Sequence, residues 1–308
     1  HGDLFHESVP DAWIDRVFAV MAAAPHHTFQ VLTKRAERMR AYIESLRDRP
    51  RFLTLDKDSM VWSPYEGGWP TYIWLGVSAE DQARADERIP HLLQTPAAVR
   101  FLSAEPLLGP IDLTDLNLSG DSTMDALTPM SAADHWRTQW APEVTGETLE
   151  SAIEGFEDWG FSYPPSEAKA SVLDWVIVGG ESGPGARPLH PDWARQIRDD
   201  CAAAGVAFFF KQWGNHLPEG QLDAQGFQWA PGQRGPAVHW WTPEPPVGEA
   251  LPDGACSIDI GKKAAGRLLD GVEHNAMPCR DRRAEGRPAD RPRPDGRPGL
   301  PGPLTPRP

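Results

Sequence analysis

At 308 residues and 40% hydrophobic content, the chain is long enough for one large domain or two small ones around a filled core. Its 44 acidic against 30 basic residues, a net charge of −14, argue against a broad basic surface for sequence-independent nucleic-acid binding and leave room only for a local basic groove. Cys201, Cys256 and Cys279 are odd in number and far apart, which excludes a disulfide framework or a Cys-x-x-Cys metal site and points to a reducing, cytoplasmic setting; no 18-residue apolar run or charged leader marks a membrane span or a signal peptide.

The chain opens at His1 directly into structured-looking sequence, so an N-terminal piece is expected to be missing, with Asp3, His6 and Glu7 following a truncated first strand. Pro10 to Ala24 has a helical pattern with Trp13, Val17 and Met21 on one face, stopped by Pro25. "TFQVLTKR" (28–35) is a strand, and residues 35–48 offer a helix with Met39, Ile43 and Leu46 inward. Residues 50–70 lengthen the crossover to the next strand, "TYIWLGVSAE" (71–80). Glu80 to Gln94 starts with two acids that suit the positive end of a helix dipole and aligns Ala85, Ile89 and Leu93. A third strand, "AVRFLSAEP" (98–106), completes a first half over 1–112. Residues 113–170 are acidic and polar, with Trp136, Trp140, Phe156 and Trp159 scattered through them, and are expected to form an inserted, mostly helical or irregular subdomain.

The last strands and helix fall in 171–214: "DWVIVGGES" (174–182), a helix over 191–204 with Pro191 in its first turn, a Trp193, Ile197 and Cys201 stripe and Gly205 as its stop, then "VAFFFKQWG" (206–214). Trp74 and Trp175 lie within strands and read as core. An extension over 215–278 begins irregular or as short β structure and ends in a short helix with Leu268 and Leu269 inward. Residues 279–308, with eight arginines against four acids, read as a disordered basic tail of Pro, Gly and Arg, so the acidic excess lies in 1–278.

Continuous apolar runs alternating with helices predict βαβ units and a parallel α/β sheet or barrel, in which ligands sit at the carboxyl ends of the strands. The residues after each run are therefore the candidates: Asp3, His6 and Glu7; Thr33, Lys34 and Arg35; Ser78 and Glu80; Ser103 and Glu105; Gly179, Gly180, Glu181 and Ser182; Lys211, Gln212 and Trp213. Any one of them is more often a helix cap or a solvated loop residue; their convergence on one mouth carries the signal. Trp213 can stack on a flat ring or simply pack. The glycine loop is not a phosphate loop. Gly183 and Gly185 are followed by Pro188 where a dinucleotide fingerprint needs glycine, and Gly180 and Gly185 are followed by Ala186 and Arg187 where a triphosphate loop needs Lys and Ser or Thr. Three classes fit such a mouth: acid/base hydrolysis by Glu105 and Glu181, an enzyme holding a small organic cofactor, and a binding module without chemistry.

The segments "DLFHE", "FQVLTKR", "WLGVSAE", "RFLSAEPLLGPI", "DWVIVGGESGPGARP", "FFFKQWG" and "GKKAAGRLLDG", in this order, resemble a phage- and prophage-associated family of radical-SAM-like proteins. The resemblance covers nearly all of 1–278 apart from the insertion. It implies a partial (βα) TIM-like barrel of the radical SAM type, truncated here at its N-terminus, where full-length members carry a three-cysteine motif for a [4Fe-4S] cluster. It implies S-adenosylmethionine at the mouth. Asp3 and Glu7 then face the methionine amino group, Ser78 and Glu80 the ribose, and Gly179 and Gly180 the adenine, with Ser103 and Ser182 also on the cofactor side. Lys34, Glu105, Glu181 and Lys211 are the expected catalytic groups, and His6, Arg35, Arg187, Gln212 and Trp213 the substrate side. The adenine motif of radical SAM enzymes is matched only at Ile177 and Gly179, with Trp175 in place of its first glycine and Glu181 one residue early. No described cysteine grouping replaces the three-cysteine loop, so no cluster or other metal is expected in this chain, which is then inactive in radical chemistry. The substrate expected is a small molecule or nucleotide, with nucleic acid admitted by association alone; the alternative is a cluster-free binding or regulatory module on the same scaffold.

Overall fold

The computed structural model describes residues 2–46, 53–54, 60–62, 69–118, 123–128, 172–226, 238–240 and 256–278. In chain order the elements are α1 (Asp11–Ala22), β1 (Phe29–Thr33), α2 (Ala36–Ser45), a short pair β2 (Leu53–Thr54) and β3 (Met60–Trp62), β4 (Ile73–Ser78), α3 (Gln82–Leu93), β5 (Arg100–Ala104), a second short pair β6 (Leu116–Asn117) and β7 (Thr123–Met124), β8 (Trp175–Gly179), α4 (Pro191–Ala204), β9 (Ala207–Gln212), β10 (His216–Pro218), β11 (Val238–Trp240), β12 (Cys256–Asp259) and α5 (Lys262–Ala265). The fold is α/β.

Its centre is a five-stranded sheet in the order β1-β4-β5-β8-β9, every pair parallel. Strand order follows chain order. Among the described residues β1 and β9 do not pair, so the sheet has two edges and no closed barrel is formed. The five apolar runs became strands because both faces are covered. On one face Leu75, Val77, Leu102, Val176, Val178 and Phe210 join Ile14, Phe18, Met39, Ile43, Ile89 and Ile197 in one core. On the other, Trp74, Val99, Phe101 and Trp175 form a second cluster with Ile177, Ala207 and Phe209 packed against it.

The helices follow the expected starts and stops with one change of phase. Asp81 caps α3 through its Oδ1, which accepts from the Arg84 amide at 2.9 Å, and Gly205 ends α4 in the left-handed region at φ 71°. In α1 the buried residues are Ile14, Phe18, Ala19 and Met21, while Trp13 is 62% exposed and Val17 lies outside with it. The expected Trp13, Val17 and Met21 face is therefore corrected. Phe18 meets Phe5, Tyr42 and Trp69 at ring-centroid distances of 6.5, 5.8 and 6.2 Å. Aromatic contacts of this kind add about 0.5–1.5 kcal/mol each beyond the area they bury, and they set the rotation of the helix.

At the start of the expected insertion, Leu113, Leu116, Ala126 and Leu127 belong to the main core, and β6 and β7 form an antiparallel pair. The remainder, 129–171 with its four large aromatics, lies outside the described residues, as does the 279–308 tail. In the extension β10, β12 and β11 make a small antiparallel sheet that contains Cys256. The expected helix within 258–278 shrinks to Lys262–Ala265, because Gly261 and Gly266 bracket it at positive φ; Leu269 is buried all the same. No helix among the described residues is long and apolar enough to cross a membrane.

Gly76 in β4 sets how the aromatic face packs, since a Cβ there would stand 2.5 Å from the Phe101 ring. Replacing Gly76 by Ala should lower stability by about 1–3 kcal/mol through overpacking, read as a lower urea midpoint with unchanged slope. Adding Phe101→Leu should recover part of that loss.

Candidate functional site

The parallel register brings the strand ends level: Thr33 lies beside Val77, Ser78 beside Ser103, Ala104 beside Val178 and, across a bulge, Gly179 beside Gln212. The residues that follow form a charged rim. Lys34, after β1, places Nζ 3.3 Å from both oxygens of Glu80, after β4. Lys211, in β9, places Nζ 2.8 Å from Glu105 Oε2, after β5, while Gln212 Nε2 donates to Glu105 Oε1 at 3.0 Å. Each edge strand thus sends a lysine inward to a carboxylate on an inner strand. The glutamates are mostly buried and the lysines are not, at 43% for Lys34 and 53% for Lys211.

Beyond β8, Glu181 accepts three hydrogen bonds from Arg187: from its amide at 2.8 Å and from Nε and Nη2 at 2.9 Å each. The Arg187 hydrogen bonds drive the Glu181 pKa down to about 2 against the cost of burial, so this carboxylate is a fixed anion through the whole physiological range. Arg187 also feels the charge of Glu80, and its own pKa is raised chiefly by its hydrogen bonds with Glu181.

The glycine loop is zipped onto the chain that leaves β9. Gly180 N donates to Gln212 O at 2.8 Å, Asn215 N to Glu181 O at 2.9 Å, and the Asn215 amide group both receives from Gly183 N and donates to Gly183 O. His216 Nε2 meets Ala186 O at 2.8 Å. The amides of Gly180, Gly183, Ala186 and Arg187 are all spent inside the protein and are not offered to an anion. The two backbones approach so closely that a Cβ on Gly180 would come within 2.5 Å of the Trp213 carbonyl carbon, and one on Gly214 within 2.8 Å of that of Glu181. Space beside Gly179 is taken by the Glu105 carboxyl, 3.0 Å from where a Cβ would stand. The glycines therefore leave room for protein groups and not for an adenine face.

Other expected site residues are placed differently. Asp3 accepts from Thr33 Oγ1 at 2.6 Å, Lys34 N at 2.9 Å and Phe5 N at 3.0 Å, with Arg35 at 3.7 Å. Burial alone would raise its pKa; these donors outweigh it and hold the carboxyl below its usual value. Its oxygens stitch the N-terminal segment to the end of β1 and are not free for a ligand. Glu7 pairs with Arg35 at 3.3 Å and His6 with Ser8 at 2.9 Å, both exposed beside α2. Ser78 and Ser103 are buried beneath the rim, and Ser182 is exposed on the loop. Trp213 has no exposed surface at all: it packs on Phe210 at 4.8 Å and donates Nε1 to Leu268 O at 2.8 Å, so it offers no face for stacking.

Two residues absent from the candidate set shape the site. Arg88 of α3, nearly buried, reaches Ser78 O at 2.8 Å and Glu80 Oε2 at 3.2 Å. Its signal was an arginine one position before Ile89, inside an apolar stripe. Asn215, the clamp on the glycine loop, carried no local signal. The cysteines stay apart: Cys201 is buried in α4 and Cys256 sits in β12 with Sγ 3.0 Å from Glu219 Oε2. Burial pushes both thiols up to about 12, joined at Cys256 by the Glu219 carboxylate. No group of three metal-ligating side chains occurs among the described residues.

The family model described as "Protein of unknown function (DUF5131)" matches residues 1–278. No curated protein and no solved structure matches the chain.

Gly180→Ala should force the two backbones apart, costing about 3 kcal/mol or more and raising the amide exchange of 180–187 together with that of 212–216. Iodoacetamide at mildly alkaline pH should leave Cys201 and Cys256 unlabelled in the native protein and label both after denaturation, as read by peptide mass spectrometry.

Proposed function

On the footing that the chain belongs to this DUF5131 family, we propose that its strand-end mouth binds S-adenosylmethionine, on a partial (βα) barrel of the radical SAM type. The observation that carries this reading is the pair of lysine–glutamate contacts facing each other over the carboxyl ends of one parallel sheet. The ligand's amino-acid end bears one ammonium and one carboxylate. Glu80 or Glu105 suits the first, and Lys34 or Lys211 the second. Exchange of partners costs little, because ion pairs with half-exposed lysines contribute only about 0–1 kcal/mol. Glu181, ionised at every relevant pH, adds a fixed negative charge toward the sulfonium, with Arg187 holding its orientation.

The fit is partial. The four charged rim residues suit the zwitterion, whereas Gly179, Gly180 and Trp213 are filled by protein contacts and give adenine no platform. A [4Fe-4S] cluster is not fitted by the described cysteines, which lie on separate elements with their thiols held protonated. The second reading is a cluster-free binding module that uses the same mouth. In hydrolysis by Glu105 and Glu181, the Glu181 carboxylate, with its pKa near 2, could act only as base or nucleophile, which leaves the general-acid role to Glu105.

Calorimetric titration of S-adenosylmethionine into the full chain should give saturable binding, weakened about tenfold, or roughly 1.4 kcal/mol, by Glu105→Gln or Lys211→Met. Free methionine should compete more weakly at the same site. Absence of heat with ligand at about 1 mM, where affinity corresponds to roughly 4 kcal/mol, would overturn the proposal.

A further inference from the structure

Residues 266–276 clasp the outer edge of β9. Phe210 N donates to His274 O at 3.0 Å, and Ala276 N to Phe208 O at 3.2 Å, around an antiparallel bridge between Phe209 and Asn275. Trp175 Nε1 reaches Ala276 O at 2.9 Å. At the other end Trp213 gives its amide to Gly266 O and its indole N–H to Leu268 O. Asp270 anchors the turn between them. It stands at φ 53° and accepts from Arg195 and Arg198 of α4 and from Gln221, whose Oε1 in turn accepts the Asp270 amide at 2.8 Å. Lys211 and Gln212, which hold Glu105, lie between Phe210 and Trp213, so the clasp grips the chain on both sides of that corner of the rim.

One titratable group inside the clasp is left over. His274 stands edge-on to Phe208 at 5.4 Å, and its Nε2 is buried with no hydrogen-bond partner. A neutral imidazole with an unprotonated nitrogen there loses one acceptor contact. An imidazolium would bury an Nε2–H with no acceptor and leave its charge partly desolvated, a heavier penalty. The charged groups around it are Arg198 and Asp199 of α4 and Asp270 of the clasp. Burial first, then Arg198, push the His274 pKa below its ordinary 6.5, outweighing a hydrogen bond with the Leu269 backbone and the two acids.

We propose that His274 is an acid-released latch: its protonation drives the ring off Phe208, breaks the pairing of 274–276 with β9 and loosens the Lys211–Gln212 corner of the rim. Because the folded-state pKa is lowered, the latch contributes fully above about 6.5 and is lost as pH falls from there toward the folded value. The latch does not depend on which ligand the mouth takes.

Hydrogen exchange of the full chain at about pH 7.5 and about pH 5, corrected for intrinsic rates, should show protection of 207–213 and 272–276 falling about tenfold relative to β4 and β5. In His274→Leu the protection should persist at the lower pH. Equal behaviour of all strands in the wild type, or the same loss in the variant, would overturn the latch. Should the variant not fold, the wild-type His274 ring signal decides by NMR titration: a midpoint below 6.5 supports the latch, and one at or above it removes it.

Discussion

On the β8–β9 side of the rim two backbones run closer than any side chain would permit. Gly180 and Gly214 face each other's carbonyl groups, and a Cβ on either would enter a peptide unit. This crossing lets Gly180 N reach Gln212 O and Asn215 N reach Glu181 O, so the β8 loop and the segment after β9 continue as one hydrogen-bonded strip past the end of the sheet. Everything on that side of the mouth follows from it. Gln212 is fixed where it can donate to Glu105, Trp213 turns inward, and the loop delivers Glu181 and Arg187 over the strand ends. A glycine run that looks like a cradle for phosphate is a cradle for another piece of the same chain.

The faces of the sheet constrain the site from below. Trp74, Phe101 and Trp175 fill the side away from the helices, with Trp175 in edge contact with Trp74 and Phe209. Both faces being covered, a ligand has only the carboxyl ends left, where Ser78 and Ser103 are already buried and charge begins at Lys34, Glu80, Glu105 and Lys211. Apolar burial thus fixes the height of the mouth as well as stabilising the sheet, with each fully buried large side chain contributing about 1.5–3 kcal/mol.

The strands were legible because parallel strands covered on both faces leave a run of apolar residues that needs no partner to be recognised. Their ends were legible for the same reason: polarity returns where the sheet stops. The helix caps at Asp81 and Gly205 rest on local chemistry and could be read directly. The rotation of α1 could not, because periodicity counts Trp13, Val17, Ile14 and Phe18 alike, and the choice among them is made by Phe5, Tyr42 and Trp69, distant in sequence. Within the site, the sequence showed which residues stand at the mouth but not what they do there. Asp3 looked like a ligand group and is consumed by Thr33 and two amides; Trp213 could be read as stacking on a ligand or as packing, and it packs. Both outcomes depend on pairings with residues tens of positions away, for which spacing along the chain carries no information.

The rim's charge balance bears on what it can accept. Lys34, Arg88, Arg187 and Lys211 stand against Glu80, Glu105 and Glu181, close to neutrality in a chain that is acidic as a whole. A site built for phosphate would leave cations unmatched, and a site built for a cation would leave carboxylates unmatched; here each acid has a basic partner within 3.3 Å. Such a site gains from a ligand only by exchanging like for like, one ammonium and one carboxylate for a lysine and a glutamate already present. On the proposed reading that condition suits a zwitterion, and the contacts that would tell one zwitterion from another fall at the β9 corner, where Lys211 and Gln212 hold Glu105.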